Sequence, residues 1–293
     1  FQDWYGTSGT DGSWGTRLNS SNRYGYDPKS DYFQTGIIGT ETFSLSTGSE
    51  HNQTYLSAAA VNSRGIVPNN KYERYNFTFR NTTQFLNDKM KLDVGAQYIM
   101  QKDRNMTNQG IYANPVASAY LFPRGNDWEE YKMFERYDPV RKLYTQYWPQ
   151  GGGSYRLQNP YWITNRNMYT NKKDRFLASG LLKYTITDWL NVSGRVKLDK
   201  ETINSEKKMY ASTLNVIAEN SDKGAYVQSN KNTSQIYADA MLNINKYFYH
   251  DTWNLTASLG ASLLDLDYKE LNFGGGLLTI PNLFTSNLSL IHI

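Results

Sequence analysis

From Tyr75 onward, apolar and polar residues alternate with a period close to 2 in every long candidate element. That is the signature of strands showing one face to an apolar phase and the other to water. In the segment Lys89 to Lys102, Met90, Leu92, Val94, Ala96, Tyr98 and Met100 share one face. Lys91, Asp93, Gly95, Gln97, Ile99 and Gln101 share the other, and Ile99 alone breaks the contrast. In Arg175 to Ile186, Phe176, Ala178, Gly180, Leu182, Tyr184 and Ile186 oppose Ser179, Lys183 and Thr185, with Leu177 and Leu181 blurring the pattern. It is cleanest in Leu190 to Asp199, where Leu190, Val192, Gly194, Val196 and Leu198 oppose Asn191, Ser193, Arg195, Lys197 and Asp199. Two further apolar faces run from Ile236 to Ile244 and from Trp253 to Leu263. Upstream, Tyr75, Phe77 and Phe79 alternate with Asn76, Thr78 and Arg80, and two weaker strands are predicted from about Ile37 to Thr47 and Gln53 to Ser63. In these two, Glu41 lies in phase with Phe43 and Leu45, and Leu56 to Val61 shows no clear face. A bulge or buried contact is therefore expected there.

The connections alternate in length. Gly48 to Asn52, Asn87-Asp88, Thr187 to Trp189 and roughly Asn245 to Thr252 are short and rich in turn formers, whereas residues 103–174 and 200–233 are long. Brief turns at one end and long loops at the other suit an outer-membrane β-barrel. A soluble β-sandwich alternates too, so periodicity leaves both open. Three details favour the membrane: charges on the polar faces suit a water-filled lumen, strands of about 10 to 14 residues suit a tilted crossing, and Tyr and Trp near strand ends suit interface girdles. On this reading Lys91, Asp93, Arg195, Lys197 and Asp239 face the lumen, because a charge on the lipid face costs up to about 2 to 4 kcal/mol. The expected class is all-β: a segment of about eight strands of an antiparallel transmembrane β-barrel, with long extracellular loops. A self-contained eight-stranded barrel is the alternative within membranes.

Composition agrees. With 24 Tyr, 7 Trp and 12 Phe among 293 residues, much of the apolar material is aromatic, which favours strands. The mean hydropathy of -0.67 and the lack of a long apolar run exclude a spanning helix and say nothing against alternating strands. A net charge of +4, spread over 31 basic and 27 acidic residues without long blocks, indicates no nucleic-acid partner. The chain has no cysteine, which excludes disulfides and thiol chemistry. Its opening residues, Phe1 to Tyr5, lack the basic start and apolar run of a signal peptide.

Catalytic and metal chemistry find little support. His51, His250 and His292 are far apart, and Glu129-Glu130 and Asp265-Leu266-Asp267 lack calcium-loop spacing or a catalytic partner. Solvated loop residues are the simpler reading. Gly151 to Gly153 and Gly274 to Gly276 lack the downstream Lys-Ser/Thr of a phosphate loop, and Asn-x-Ser/Thr triplets arise readily on alternating faces. No enzyme activity, cofactor or metal is expected. The long loop is the expected place for a ligand, because Trp128, Tyr131, Tyr147, Trp148, Tyr161 and Trp162 supply flat apolar faces with polar handles that can stack on sugar rings or peptide side chains. The simpler role for any one of them is packing the loop on itself or on a partner.

Several segments resemble the SusC-like, or RagA-type, family of TonB-dependent outer-membrane transporters, in the family's order. They include Asp31 to Gly36, Ser44 to Ser46 with Gly48, Gln53 to Tyr55, Asn62 to Asn70 and Tyr75 to Thr82. Asn159-Pro160-Tyr161-Trp162, Asn165 to Asn167, Asp174 to Phe176, Asp188 to Val192, Gly194 to Val196 and Ile280 to Thr285 continue it. Each phrase is short, and their shared order carries the resemblance. It implies import of oligosaccharides or similar nutrients across the cell outer membrane, peptides included, with a SusD-like surface lipoprotein and the TonB system as partners and outer-membrane lipid around the wall. It also implies a fragment, since the family's plug, TonB-contacting segment and closing strands have no counterpart here. The expected organisation is an irregular outer loop over 1–36, a partial barrel over 37–265, and an outer loop with a truncated end over 266–293.

Overall fold

The computed structural model describes residues 20, 26–106, 110–122, 127–148, 157–249, 252–275 and 278–285. Gly151 to Gly153, Tyr155, His250, Gly276 and His292 lie outside them. A helical turn, α1 (Pro28–Asp31), leads into β1 (Ile37–Gly48), β2 (Asn52–Arg64), β3 (Lys71–Phe85) and β4 (Met90–Arg104). The long connection then folds as α2 (Pro115–Leu121), α3 (Trp128–Lys132), the hairpin strands β5 (Glu135–Asp138) and β6 (Leu143–Gln146), and α4 (Pro160–Arg166). It hands over to β7 (Asn167–Thr187), β8 (Leu190–Tyr210), β9 (Gly224–Phe248) and β10 (Trp253–Gly275).

The main sheet has eight strands in the order β1-β2-β3-β4-β7-β8-β9-β10, every neighbouring pair antiparallel. Because directly opposed residues share a face, the register fixes which side each residue occupies. One row runs Arg80, Gly95, Ser179, Lys197, Tyr237. The adjacent row, on the other face, runs Phe79, Ala96, Ala178, Leu198, Ile236. All the alternating segments therefore combine into one polar and one apolar face. β1 and β10 do not pair with each other, so the sheet is open, as a piece of a larger barrel would be. That excludes a closed eight-stranded barrel for this chain. The other sheet among the described residues is the hairpin β5-β6 rather than a second layer, which removes the sandwich.

Two differences from the pattern-based expectation have physical causes. β1 and β2 pair without interruption from Ile37 opposite Arg64 to Gly48 opposite Gln53, so the expected bulge is absent; Glu41 sits on the apolar face of an edge strand. The strands also outrun their alternation. β7 begins at Asn167, and β8 and β9 run on to leave only residues 211–223 between them. The apolar face of β8 ends at Leu198 and that of β9 at Ile236; beyond them both faces are mostly polar until Met209 and Ala225, with Ile203 an isolated apolar position, so period 2 disappears while the backbone ladder continues. Side-chain bonds from Thr202 to Asn232 (2.8 Å) and from Asn230 to Asn204 (2.6 Å) brace this extension. Gly224 opens β9 at φ +95, where a Cβ would meet the Met209 carbonyl oxygen at 2.3 Å.

Every long connection emerges at one end of the sheet. At the other end lie tight turns such as Leu86-Asn87-Asp88, all at positive φ. There Lys246 lies over the Trp189 ring at 4.5 Å and the Phe248 ring at 5.3 Å, the posture of an interfacial lysine on an aromatic girdle.

Candidate functional site: polar face and aromatic cap

The polar face carries cross-strand ion pairs. Arg80 on β3 reaches Asp93 on β4 with Nη2 to Oδ2 at 3.0 Å, Arg175 on β7 pairs with Asp199 on β8 at 2.5 Å, and Arg195 on β8 pairs with Asp239 on β9 at 2.7 Å. Lys173 meets Glu201 at 2.6 Å. Of these, Arg80, Asp93, Arg195 and Asp199 line a trough of about 770 Å³ together with Gln97, Ser179, Lys197 and Tyr237. Of the charges expected in a lumen, Asp93, Arg195, Lys197 and Asp239 converge on the trough or its rim. Lys91 lies on the same face nearer the tight turns, opposite Lys183. Such a face can hold a polar, charged ligand or wall by hydrogen bonds of both polarities. No cluster of three or more metal-ligating side chains occurs among the described residues.

At the end of the sheet from which the long connections emerge, the longest of them folds as a cap with its own core. Tyr26, Tyr32, Val67, Ala119, Phe122, Trp128 and Tyr131 are buried together, with Phe33, Tyr147, Trp148 and Tyr161 packed around them. The Tyr26 ring stacks on Trp128 at 4.3 Å, and Phe122 stands edge-on to both Trp128 and Tyr131 at 4.9 Å, arrangements favoured by the ring quadrupoles. The Tyr26 hydroxyl donates to the Ala119 carbonyl at 2.8 Å. Burial raises the Tyr26 and Tyr32 phenols far above their ordinary value.

The six loop aromatics thus divide. Trp128 and Tyr131 are buried at 3% and 5% exposure within the cap's aromatic core, and Trp162 is at 0%, with its Nε1 on Thr213 of the β8-β9 connection. Tyr147, Trp148 and Tyr161 are half-buried at the margin. Arg136 lies 3.3 Å over the Tyr147 ring while the Tyr147 hydroxyl bonds Glu130, so Glu130 is engaged rather than merely solvated. Tyr120 on α2, and Tyr137 and Tyr144 facing each other on the β5-β6 hairpin, are the exposed aromatics of this layer among the described residues.

An amide network that the sequence did not announce holds the cap to the wall. Asn159, fully buried, caps α4 by accepting from the Tyr161 N–H at 2.8 Å, and its own amide donates to the Tyr131 and Tyr147 carbonyls at 2.8 and 3.0 Å. Gln158 donates to the Tyr112 carbonyl and accepts from the Leu214 N–H. Trp162 donates from Nε1 to Thr213 at 3.0 Å, and the Thr213 hydroxyl donates to Asn167 at 2.7 Å. From the β2-β3 loop, Asn69 donates to Asn165 and Asn70 to the Asn105 carbonyl; Asn105 itself donates to the Thr164 carbonyl. Arg166 grips Glu135 through two bonds of 2.7 and 2.6 Å, which raises the guanidinium further. The available signal was the shared occurrence of Asn69-Asn70, Asn159 and Asn165 to Asn167 in the short phrases noted above; nothing marked them as partners.

No protein-family model matches the chain, and no curated protein matches it. Among solved structures, the RagAB peptide transporter is similar with a TM-score of 0.63 at 14% identity, over 86% of this chain and 27% of that one. The RagAB peptide importer in its open-open state is similar with a TM-score of 0.60 at 14% identity, over 90% of this chain and 28% of that one. Its closed-closed state gives 0.60 at 15% identity, over 86% and 27%. The chain therefore spans little more than a quarter of the solved chains it resembles. At this identity the likeness establishes the fold alone, an antiparallel sheet of the kind that forms part of an outer-membrane β-barrel wall, and it agrees with the RagA-type resemblance read from the sequence. These neighbours are transporters, not enzymes.

Proposed function

We propose that this chain forms part of the wall and extracellular cap of a TonB-dependent importer that takes oligosaccharides or similar nutrients across the outer membrane. The observation that carries the reading is the two-faced sheet: a continuous apolar face, an opposite face of paired charges, and all long connections at one end. In this reading the apolar face meets lipid, and Lys91, Asp93, Arg195, Lys197 and Asp239 line the passage. Tyr147, Trp148 and Tyr161 offer their free edges to a ligand, while Trp128, Tyr131 and Trp162 hold the platform beneath them. A SusD-like lipoprotein would cover the exposed hairpin aromatics, and the TonB system would act through parts of the protein beyond this chain.

Peptides are a second substrate reading. The fixed charges of both signs on the polar face suit a zwitterionic chain better than a neutral sugar, and the solved relatives are described as peptide transporters. Deleting the gene and restoring it in full length, with growth on an oligosaccharide or an oligopeptide as sole source, separates the two. Uptake of either that depends on the gene and on TonB supports import; growth on both classes unaffected by the deletion would sink it.

A further inference from the structure

The apolar face of the sheet ends, on β4 and β7, in an arrangement that a plain hydrocarbon boundary does not require. Across these strands, Ala96 opposes Ala178, Tyr98 opposes Phe176, Met100 opposes Asp174, and Lys102 opposes Lys172, all on the outward side. At the lower level lies an apolar groove of about 390 Å³, its floor made shallow by Ala58 and Ala96 and its walls by Leu56, Phe77, Tyr98 and Phe176. At the upper level two lysines stand directly opposite one another, a placement that is unfavourable by itself.

The row beyond adds more positive charge, since Arg104 opposes Lys71 on the same outward side. None of these four cations makes an ion pair among the described residues, and Arg104 Nε is buried there without a partner. The acids nearby are few. Asp174 takes the Tyr98 hydroxyl at 3.0 Å, and Glu206 is held by Lys208 at 2.9 Å and by Tyr226 and also feels the charge of Lys172, without an ion pair to it. Glu73 opposes Lys102 in register and makes no ion pair with it. The lysine pair lies roughly 13 Å beyond Tyr98 and Phe176 along the strands, where the apolar face gives way to polar residues.

We propose that Lys102 and Lys172 bind the phosphate of a phosphorylated outer-leaflet lipid whose acyl chain lies in the groove over Ala58 and Ala96. The inference rests on the reading of the apolar face as bilayer-facing. Basic clusters at a membrane surface attract anionic headgroups with a contribution from each lysine, and the groove below supplies what distinguishes a lipid from a free anion. Two lysines that are otherwise in mutual repulsion become a complementary pair around one phosphate.

The test uses the full-length protein purified in non-ionic detergent, with fluorescent bisphosphorylated lipid A as the probe and its dephosphorylated form as the comparison. Wild type should prefer the phosphorylated probe, and Lys102→Ala with Lys172→Ala should weaken it on the order of 30-fold. Lys269→Ala, which removes a lysine paired with Asp267 on β10, should leave it unchanged. Millimolar inorganic phosphate should fail to displace the lipid. Equal affinity of wild type for the two probes, equal affinity of wild type and the double variant, or full displacement by free phosphate would each overturn the proposal. The first of these needs no variant to fold. Heat-modifiable migration of the wild type, with no lipid preference, overturns this inference alone; a wild type that never enters the outer membrane overturns the importer reading with it.

Discussion

The wall and the cap are built from the same aromatic-rich composition and bury it in opposite ways. In the wall, large apolar side chains stand exposed, Leu259 at 72% and Phe43 at 67%, whereas in the cap Trp162 is at 0% and Trp128 at 3%. The wall has its backbone hydrogen bonds and half of an apolar boundary; in the proposed importer a bilayer supplies the other half. The cap encloses its rings itself and ties many of its buried polar groups together through Asn159, Gln158 and Thr213, although Tyr32 Oη, Ser118 Oγ and Trp148 Nε1 are buried without a hydrogen-bond partner among the described residues. One region depends on its surroundings for its hydrophobic stabilisation, the other on internal packing.

The largest effect that separates them is Trp162→Ala. It removes a fully buried indole and the hydrogen bond to Thr213, so the cap should lose about 3 to 5 kcal/mol. The full-length protein should still insert and migrate as a heat-modifiable barrel, while limited proteolysis cuts within residues 105–166. Loss of insertion together with the cap would mean the two regions fold as one unit.

The converse test lies in the wall. Val192 belongs to the apolar face of β8 and Ser193 to the polar face. Val192→Arg should therefore cost about 2 to 4 kcal/mol near the bilayer midplane and lower assembly sharply. Ser193→Arg places the same charge beside water and should assemble close to wild type. Equal yields of heat-modifiable barrel from the two would refute the assignment of faces, and with it the claim that lipid completes the wall.

The same contrast explains what could be read without coordinates. Alternation writes itself into a sequence only where the two faces of a strand meet different phases. Leu190 to Asp199 was therefore legible residue by residue, and its continuation to Tyr210 was not, because Lys200 to Lys208 carries polar residues on both sides with Ile203 alone apolar. The cap left a compositional trace, its aromatics, but no period. Which rings would be sealed depends on contacts as remote in sequence as Tyr26 with Trp128 and Trp162 with Thr213. Glu41 misled for a different reason: a charge in phase with Phe43 and Leu45 suggests a bulge, whereas β1 is an edge strand whose other side the chain leaves unpaired.

Alkaline pH gives a smaller and reversible way to address the cap alone. The Tyr26 and Tyr32 phenols are buried as neutral groups, which raises both above their ordinary value of 10.0. A raised folded value means the contribution is fully present below the unfolded value and is lost as pH rises past it toward the folded one. Protease sensitivity of the cap should therefore increase from about pH 10 upward, and Tyr26→Phe with Tyr32→Phe should flatten that rise. An identical alkaline profile in the double variant would assign the transition to other groups.

The smallest expected effect bears on the polar face of the wall. Arg195 reaches Asp239 at 2.7 Å, with side-chain exposures of 38% and 9%, so the carboxylate is nearly covered while the guanidinium is open to the trough. Were this face sealed by another layer, Arg195→Met would strand a buried charge at a cost of about 3 to 5 kcal/mol. If it lines a wet passage, water and the neighbouring Lys197 take over, and the loss should be about 0 to 1 kcal/mol and shrink further in high salt. Thermal unfolding of the full-length protein in detergent at low and high salt distinguishes these. A large, salt-insensitive loss would mean that the charged side of the sheet is dry, and the division of the wall into a lipid face and a water face would have to be redrawn.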